Sequence, residues 1–104
     1  MIRVRFTTAE GSLSGFTVSG HAGAGEFGQD IVCAAVSSAA YMTANTITEI
    51  LNLPADIAVE EGYMSLRVTG TLAPCQAVLA GFRLHIQALQ QEYPKRIQLM
   101  NTEV

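Results

Sequence analysis

The sequence has few of the residues that would tie a small domain together covalently or hold it on nucleic acid. It contains only two cysteines, and its six Lys and Arg residues are dispersed from Arg3 to Arg96. Tryptophan is absent as well. Cys33 and Cys75 match no zinc-binding or redox spacing, so we expect reduced thiols, no metal and no cofactor. Binding to phosphates generally needs clustered cations, and the net charge of −3 argues further against direct nucleic-acid binding.

We also expect no targeting segment. Met1 is followed directly by strand-like residues, and no apolar run approaches the roughly 18–20 residues that a membrane span needs. We therefore expect a cytoplasmic protein with no membrane partner. With 104 residues, the chain is expected to form one domain over 1–104. Charged residues make up only 14% and apolar residues 49%, so we also expect a homodimer that covers apolar surface.

Hydrophobic periodicity predicts an α+β fold in which two helices pack on one antiparallel or mixed sheet, in the order β-β-α-β-β-α-β. Asp30 is a favoured N-cap residue, so the first helix is predicted to begin there and to end near Leu51. The second helix is predicted to begin near Pro74 and to stop before Pro94. The predicted strands are 2–6, 16–18, 57–60, 63–69 and 97–101. The residues expected to be buried are Val32, Val36, Ala39, Thr43, Ile47 and Ile50 in the first helix, and Cys75, Val78, Phe82, Ile86, Leu89 and Tyr93 in the second.

Cys33 is the candidate nucleophile. With Asp30 as N-cap, Cys33 would be the third helical residue, inside the first turn. The helix dipole and the unpaired N–H groups there favour a thiolate over a thiol. The competing interpretation is a small core residue, because free cysteine is among the most buried residue types.

His21 strengthens the functional interpretation of Cys33. A loop that leaves a strand and enters a helix can bring these two side chains together, and an imidazole could then accept the thiol proton and later protonate a leaving amine. The other histidine, His85, lies mid-helix and is predicted to be structural or exposed. Cys75 has no histidine near it in sequence and is predicted to be buried.

Two polar residues could support the pair. Ser37 follows Cys33 by one helical turn, so it could hydrogen-bond the thiolate or a substrate, or equally its own helix carbonyl. Asp30 is expected to cap the helix and could also orient His21.

The stretch between His21 and the helix is rich in glycine and is expected to be mobile. Gly23, Gly25 and Gly28 match the spacing G-x-G-x-x-G, but the preceding strands are predicted to form a hairpin rather than half of a parallel β-α-β unit. Glu49, the acidic residue at the right distance for a ribose ligand, falls within the helix. A dinucleotide site is therefore a weak interpretation.

Gly20-His21-Ala22, followed by the run Gly-Gln-Asp-Ile-Val-Cys-Ala-Ala-Val-Ser at 28–37, resembles the signature of the ribosomal-processing cysteine protease Prp family. The opening strand, the turn at 60–63 and the segment 92–95 resemble the family in order and spacing, so the resemblance covers essentially the whole chain. It implies a bacterial homodimer that removes a short N-terminal extension from a large-subunit ribosomal protein and cuts after an aromatic pair.

The resemblance also implies roles for particular residues. The catalytic cysteine corresponds to Cys33 and the catalytic histidine to His21, with Asp30 and Ser37 at supporting positions. The residues that match a segment gating substrate access are Gly23, Gly25, Glu26, Phe27 and Gly28. Two other functions stay open at this point: a non-catalytic ribosome-assembly binding module, and a thiol redox sensor that uses Cys33.

Overall fold

The computed structural model describes residues 1–20 and 27–103, and the side chains of all of these except 27–30. The α+β class and the order β-β-α-β-β-α-β are confirmed. The elements are β1 (Ile2–Ala9), β2 (Ser12–Ser19), α1 (Phe27–Asn45), a π-helical turn (Thr46–Ile50), β3 (Ala55–Glu60), β4 (Tyr63–Val68), a 3₁₀ turn (Ala73–Cys75), α2 (Gln76–Glu92) and β5 (Ile97–Glu103).

The five strands form one mixed sheet in the order β3-β4-β2-β1-β5. β5 pairs with β1 in parallel, and the other three pairings are antiparallel. β1 and β2 form one hairpin around Glu10-Gly11, where both residues have positive φ, and β3 and β4 form a second hairpin around Glu61-Gly62. The first hairpin was predicted, and the second turn lies within the segment 60–63 that the sequence indicated.

The two hairpins meet where β2 pairs with β4. Gly15 lies opposite Arg67 in this pairing. A Cβ atom added at Gly15 would collide with the backbone carbonyl oxygen of Leu66. Only glycine therefore lets the two backbones approach this closely, and the pairing of the hairpins depends on it.

The helices cover one face of the sheet. Along β1 the residues Ile2, Val4 and Phe6 are buried, while the intervening arginines are exposed. From α2, the ring of Phe82 packs edge-on against Phe6 at 5.3 Å and against Phe16 at 4.9 Å. Such T-shaped contacts contribute about 0.5–1.5 kcal/mol each beyond the area they bury, so Phe82 anchors α2 to the sheet.

The side chain of Gln76 fixes the start of α2 against β2. Its amide accepts a hydrogen bond from the Leu13 N–H and donates to the Leu13 carbonyl, both at 2.8 Å. The same amide nitrogen donates to the carbonyl of Leu72 at 2.8 Å. These bonds complete the backbone of β2 next to the bulge between Thr7 and Thr8.

The first helix begins earlier than predicted and ends differently. It starts at Phe27, because Phe-Gly-Gln contains no proline to stop it and an aspartate at position 30 suits the positive end of the helix dipole. Near its end, the N–H of Leu51 donates to the carbonyl of Thr46 at 2.9 Å, five residues back. The hydroxyls of the threonines at 43, 46 and 48 donate hydrogen bonds to the carbonyls four residues before them. The hydroxyls thus compete with backbone N–H groups for these carbonyls, and this competition accompanies the wider π turn.

Most of the predicted core is confirmed. Val32, Val36, Thr43 and Ile47 are buried, whereas Ile50 is 73% exposed, because the π turn breaks the 3.6-residue spacing on which its prediction rested. In α2 the periodicity missed one residue. This residue, Leu79, is fully buried, whereas the predicted Val78, Leu89 and Tyr93 are only partly buried.

The expectation that no apolar stretch reaches the length of a membrane span was wrong by the measure of length and composition. Within the described residues, the helical stretch Ile31–Ile50 is long and apolar enough to cross a membrane. A helix packed in a protein core passes the same test. Here Val32, Val36 and Ala40 are buried in the same cluster as the sheet.

A pair of glycine substitutions tests the contact between the hairpins. Gly15→Ala is expected to lower the free energy of unfolding by about 2–4 kcal/mol, because the new methyl collides with backbone that cannot move alone. The control is Gly81→Ala in α2, where a Cβ would meet no described atom within 4 Å. This change should stabilise the protein by about 0.5–1 kcal/mol. Urea unfolding measures both, and similar values for the two variants would contradict the packing.

Candidate active site

A cleft of about 210 Å³ lies between α1 and one end of the sheet. Cys33 contributes to its helical wall, and Ser37 lies one turn further along the same face. The opposite wall comes from the end of β2 and from the β3–β4 turn. The lining residues are Val18, Gly20, Cys33, Ser37, Ala40, Tyr41, Glu60, Gly62, Tyr63 and Met64.

Gly20 determines how the chain leaves β2 beside this cleft. Its N–H donates to the carbonyl of Gly62 at 3.0 Å, and its φ of +89° lies in the region that favours glycine. A Cβ atom here would also collide with the carbonyl oxygen of Met1. The residue immediately before His21 in the sequence is therefore held tightly against two other segments.

The predicted site residues fall into three groups. Cys33 and Ser37 lie together in the cleft, with Cys33 half-buried and Ser37 exposed. His21, Gly23, Gly25 and Glu26 lie outside the described residues, so their predicted roles stay predictions. The remaining predicted residues, Phe27, Gly28 and Asp30, belong to the backbone of α1.

The predicted position of Cys33 within the helix needs correction. Because α1 begins at Phe27, Asp30 is not the N-cap, and Cys33 is the seventh helical residue rather than the third. The unpaired N–H groups of a helix are its first four, and the dipole effect fades beyond the first turn. The start of the helix therefore provides less activation of Cys33 than the sequence suggested.

The second thiol has a different environment. Cys75 is fully buried in the core, and its thiol donates to the carbonyl of Leu72 at 3.2 Å. Burial raises the pKa of Cys75, while hydrogen bonds with its own backbone and with Gln76 oppose the rise. The prediction of a buried Cys75 is confirmed.

The sequence interpretation missed several residues that line the cleft, one on α1 and the others on the sheet. Tyr41, Tyr63 and Met64 line the cleft beside Cys33, and Glu60 stands at its rim. The two tyrosines are among the large hydrophobic side chains left exposed. A signal for Tyr41 was available, because it follows Ser37 by four residues and so lies on the same helical face. His85, predicted to be structural or exposed, is exposed and lies away from this cleft.

Within residues 1–20 and 27–103, no three His, Cys, Asp or Glu side chains are grouped as metal ligands would be. The chemistry that the cleft offers is that of a thiol beside hydroxyl and phenol groups, reached from solvent. Such a site suits nucleophilic attack on an extended substrate if a base is supplied nearby.

Comparison with known proteins identifies the chemistry. The family model described as "Cysteine protease Prp" matches residues 1–98. The ribosomal processing cysteine protease Prp of Staphylococcus aureus is 31% identical, over 95% of this chain and 97% of its own. The Bacillus subtilis protein of the same name is 25% identical, over 92% and 91%.

Solved structures agree with the sequence matches. The crystal structure of SMU.848 from Streptococcus mutans superposes with a TM-score of 0.89 and 28% identity, over 100% of this chain and 96% of that one. An essential ribosomal processing protease Prp from S. aureus, in complex with a substrate peptide, gives a TM-score of 0.87 and 28% identity, over 97% and 99%. The same protease with a covalently linked product peptide gives 0.86.

The fold and these matches define a cysteine protease. More particularly, the chain belongs to the cysteine protease Prp family, which consists of ribosomal-processing cysteine proteases. This membership favours a protease over the non-catalytic binding module and the redox sensor considered from the sequence.

The environments of the two thiols predict different alkylation rates. Near neutral pH, iodoacetamide should label Cys33 at least about tenfold faster than Cys75, because Cys75 is buried with a raised pKa and must first be exposed by local opening. Peptide mass mapping over time measures both rates. Equal labelling in the folded protein would contradict the assignment, while equal labelling in urea is the expected control.

Proposed function

We propose that this protease removes a short N-terminal extension from a bacterial large-subunit ribosomal protein, with Cys33 as nucleophile and His21 as general base and acid. The observation that carries the proposal is the position of Cys33 in a cleft whose opposite wall includes Gly20, the residue before His21. The family-matching motif contains both residues.

The proposed reaction is acyl transfer through a thioester. The thiol proton passes to the imidazole of His21, and the sulfur of Cys33 bonds to the scissile carbonyl carbon. The imidazolium then protonates the departing amine as the C–N bond breaks. Water attacks the thioester, its proton returning through His21 to the sulfur, and a new carboxyl terminus leaves.

Negative charge on the carbonyl oxygen needs hydrogen-bond donors. Side chains of an α-helix lean toward its N-terminus, so the Cys33 side chain points back to the turn where α1 has unpaired N–H groups. We assign these groups as the oxyanion donors. Because Cys33 lies beyond the first turn, formation of the thiolate depends mainly on His21.

The supporting roles follow from position. Ser37 lines the cleft one turn after Cys33 and can hydrogen-bond the substrate backbone. Asp30, three residues before Cys33, is assigned to the orientation of His21. Gly23, Gly25 and Glu26 lie between His21 and α1 in the sequence, and Phe27 and Gly28 open α1. These five residues are assigned to gating of the cleft.

The ribosomal-protein substrate is supported by the relatives. The S. aureus protein is named a ribosomal processing protease, and its structures contain a substrate peptide and a covalently linked product peptide. A homodimer in the cytoplasm is part of the proposal. It is supported by apolar side chains that are exposed on the helices of this chain, namely Ile31, Met42 and Leu84.

Single substitutions test the catalytic pair. Cys33→Ala should reduce cleavage of the extended ribosomal protein by at least about 10³-fold, because it removes the sulfur that forms the acyl intermediate. His21→Ala should cause a similar loss through the absence of the base. Mass spectrometry of the new N-terminus, together with initial rates, measures the effect.

Cys75→Ala is the matched control for loss of a thiol. It removes the buried sulfur and should leave a folded protein with nearly unchanged cleavage, at some cost in stability. Full cleavage by Cys33→Ala would exclude the mechanism. Loss of cleavage in folded Cys75→Ala would show that the two thiols had been assigned the wrong way round.

A further inference from the structure

Among the described strands, β3 (Ala55–Glu60) is an edge strand, paired on one side with β4. The opposite side of an edge strand presents backbone N–H and C=O groups that another extended chain can pair with. Which residues present these groups follows from the register of the hairpin. The N–H of Thr69 donates to the carbonyl of Pro54 at 2.9 Å.

Pro54 and Thr69 lie directly opposite one another if the register of β3 and β4 is extended by one position. In antiparallel pairing, hydrogen-bonded and non-hydrogen-bonded pairs alternate. The even-numbered residues of β3 therefore bond to β4, which agrees with the two-residue turn closed by Glu60 and Tyr63. The backbone groups of Ala55, Ile57 and Val59 point out from the sheet.

The side chains on the helix-facing side of this edge are also uncovered. Ile57 is 44% exposed and Val59 is 51% exposed, although both lie on the face that the helices cover elsewhere. Backbone groups that point outward and apolar side chains thus occur at the same two residues. This combination gives an added strand both hydrogen bonds and apolar contact.

A cross-strand row connects this edge to the cleft. Val59 lies opposite Met64, and Met64 lies opposite Val18. Met64 and Val18 both line the cleft that contains Cys33. Since neighbouring strands are about 4.8 Å apart, the edge residue Val59 lies roughly 10 Å from Val18, a span of about three extended residues.

We propose that an extended segment of the protein substrate pairs with the free edge of β3 at Ile57 and Val59, and that the chain then crosses the Val59–Met64–Val18 row to reach Cys33. This inference rests on the proposed function, because it names how the substrate of that cleft is held. The edge ends at Glu60, which is itself part of the cleft rim, so the two surfaces are continuous. The S. aureus relative holds a peptide in two structures, which makes a polypeptide segment the occupant that the continuity favours.

A proline substitution removes one outward N–H without breaking the hairpin. Val59→Pro deletes a donor that does not bond to β4, and proline is tolerated at such edge positions. In a Cys33→Ala background, fluorescence anisotropy should show about 2- to 10-fold weaker binding of a fluorescein-labelled peptide that spans the cleavage junction. Val59→Thr keeps the N–H and should weaken binding less.

The matched control lies on the opposite edge of the sheet. The N–H of Ile2 donates to the carbonyl of Arg96, and Ile2 pairs with Ile97 in parallel, so odd-numbered residues of β5 point outward. Asn101→Pro therefore also removes an outward N–H, on the edge remote from β3. It should leave the Kd for the peptide unchanged.

A second measurement uses the protein with an unaltered β3. Single N-methyl groups are placed in turn along the labelled peptide, starting a few residues from the scissile bond. Pairing with an edge strand predicts that the Kd rises at alternate positions only, because every second amide faces the strand. An even or absent effect along the segment would overturn the proposal, whatever the behaviour of the proline variants.

The outcomes separate this inference from the proposed function. Cleavage by the wild-type protein, with no alternation and equal Kd values for Val59→Pro and Asn101→Pro, leaves the protease function standing and removes the edge site. Alternating, Val59-dependent binding without cleavage leaves the edge site standing and removes the proposed protease function. If Val59→Pro converts a dimer to a monomer in sedimentation and the peptide Kd is unchanged, the edge binds a second copy and the proposal is wrong.

Discussion

The close pairing of β2 with β4 is the contact on which the rest of the structure depends. Each hairpin is local in sequence, but neither alone can bury its apolar face. Gly15 lets the backbones approach at the carbonyl of Leu66, and the register set there continues to the bond between Gly20 and Gly62. The wall of the cleft opposite Cys33 is therefore a consequence of how two hairpins are joined.

Features that depend on nearby residues were predictable from the sequence. The alternation of Ile2, Val4 and Phe6 with arginines predicted a strand with one buried face, and the structure has this pattern. The shared helical face of Cys33 and Ser37 follows from their four-residue spacing. The family motif added the identity of the protease, which spacing alone left undecided.

Features that depend on competition or on long-range pairing were not predictable in the same way. Asp30 is a good N-cap, yet nothing in Phe-Gly-Gln stops a helix, so α1 extends back to Phe27. Ile50 has the right spacing for burial, but the π turn displaces it from the core face. Tyr63 and Met64 reach the cleft through the strand order, which no local pattern specifies.

The setting of Gly20 has a practical consequence for the choice of affinity tags. The Gly20 backbone packs against the carbonyl of Met1, so residues fused ahead of Met1 would begin at the cleft end of the sheet. β5 runs parallel to β1, and Glu103 lies opposite Thr8, at the other end of the sheet. A purification tag joined to the carboxyl end is thus separated from the cleft by the length of β1, whereas an amino-terminal tag would begin beside the cleft.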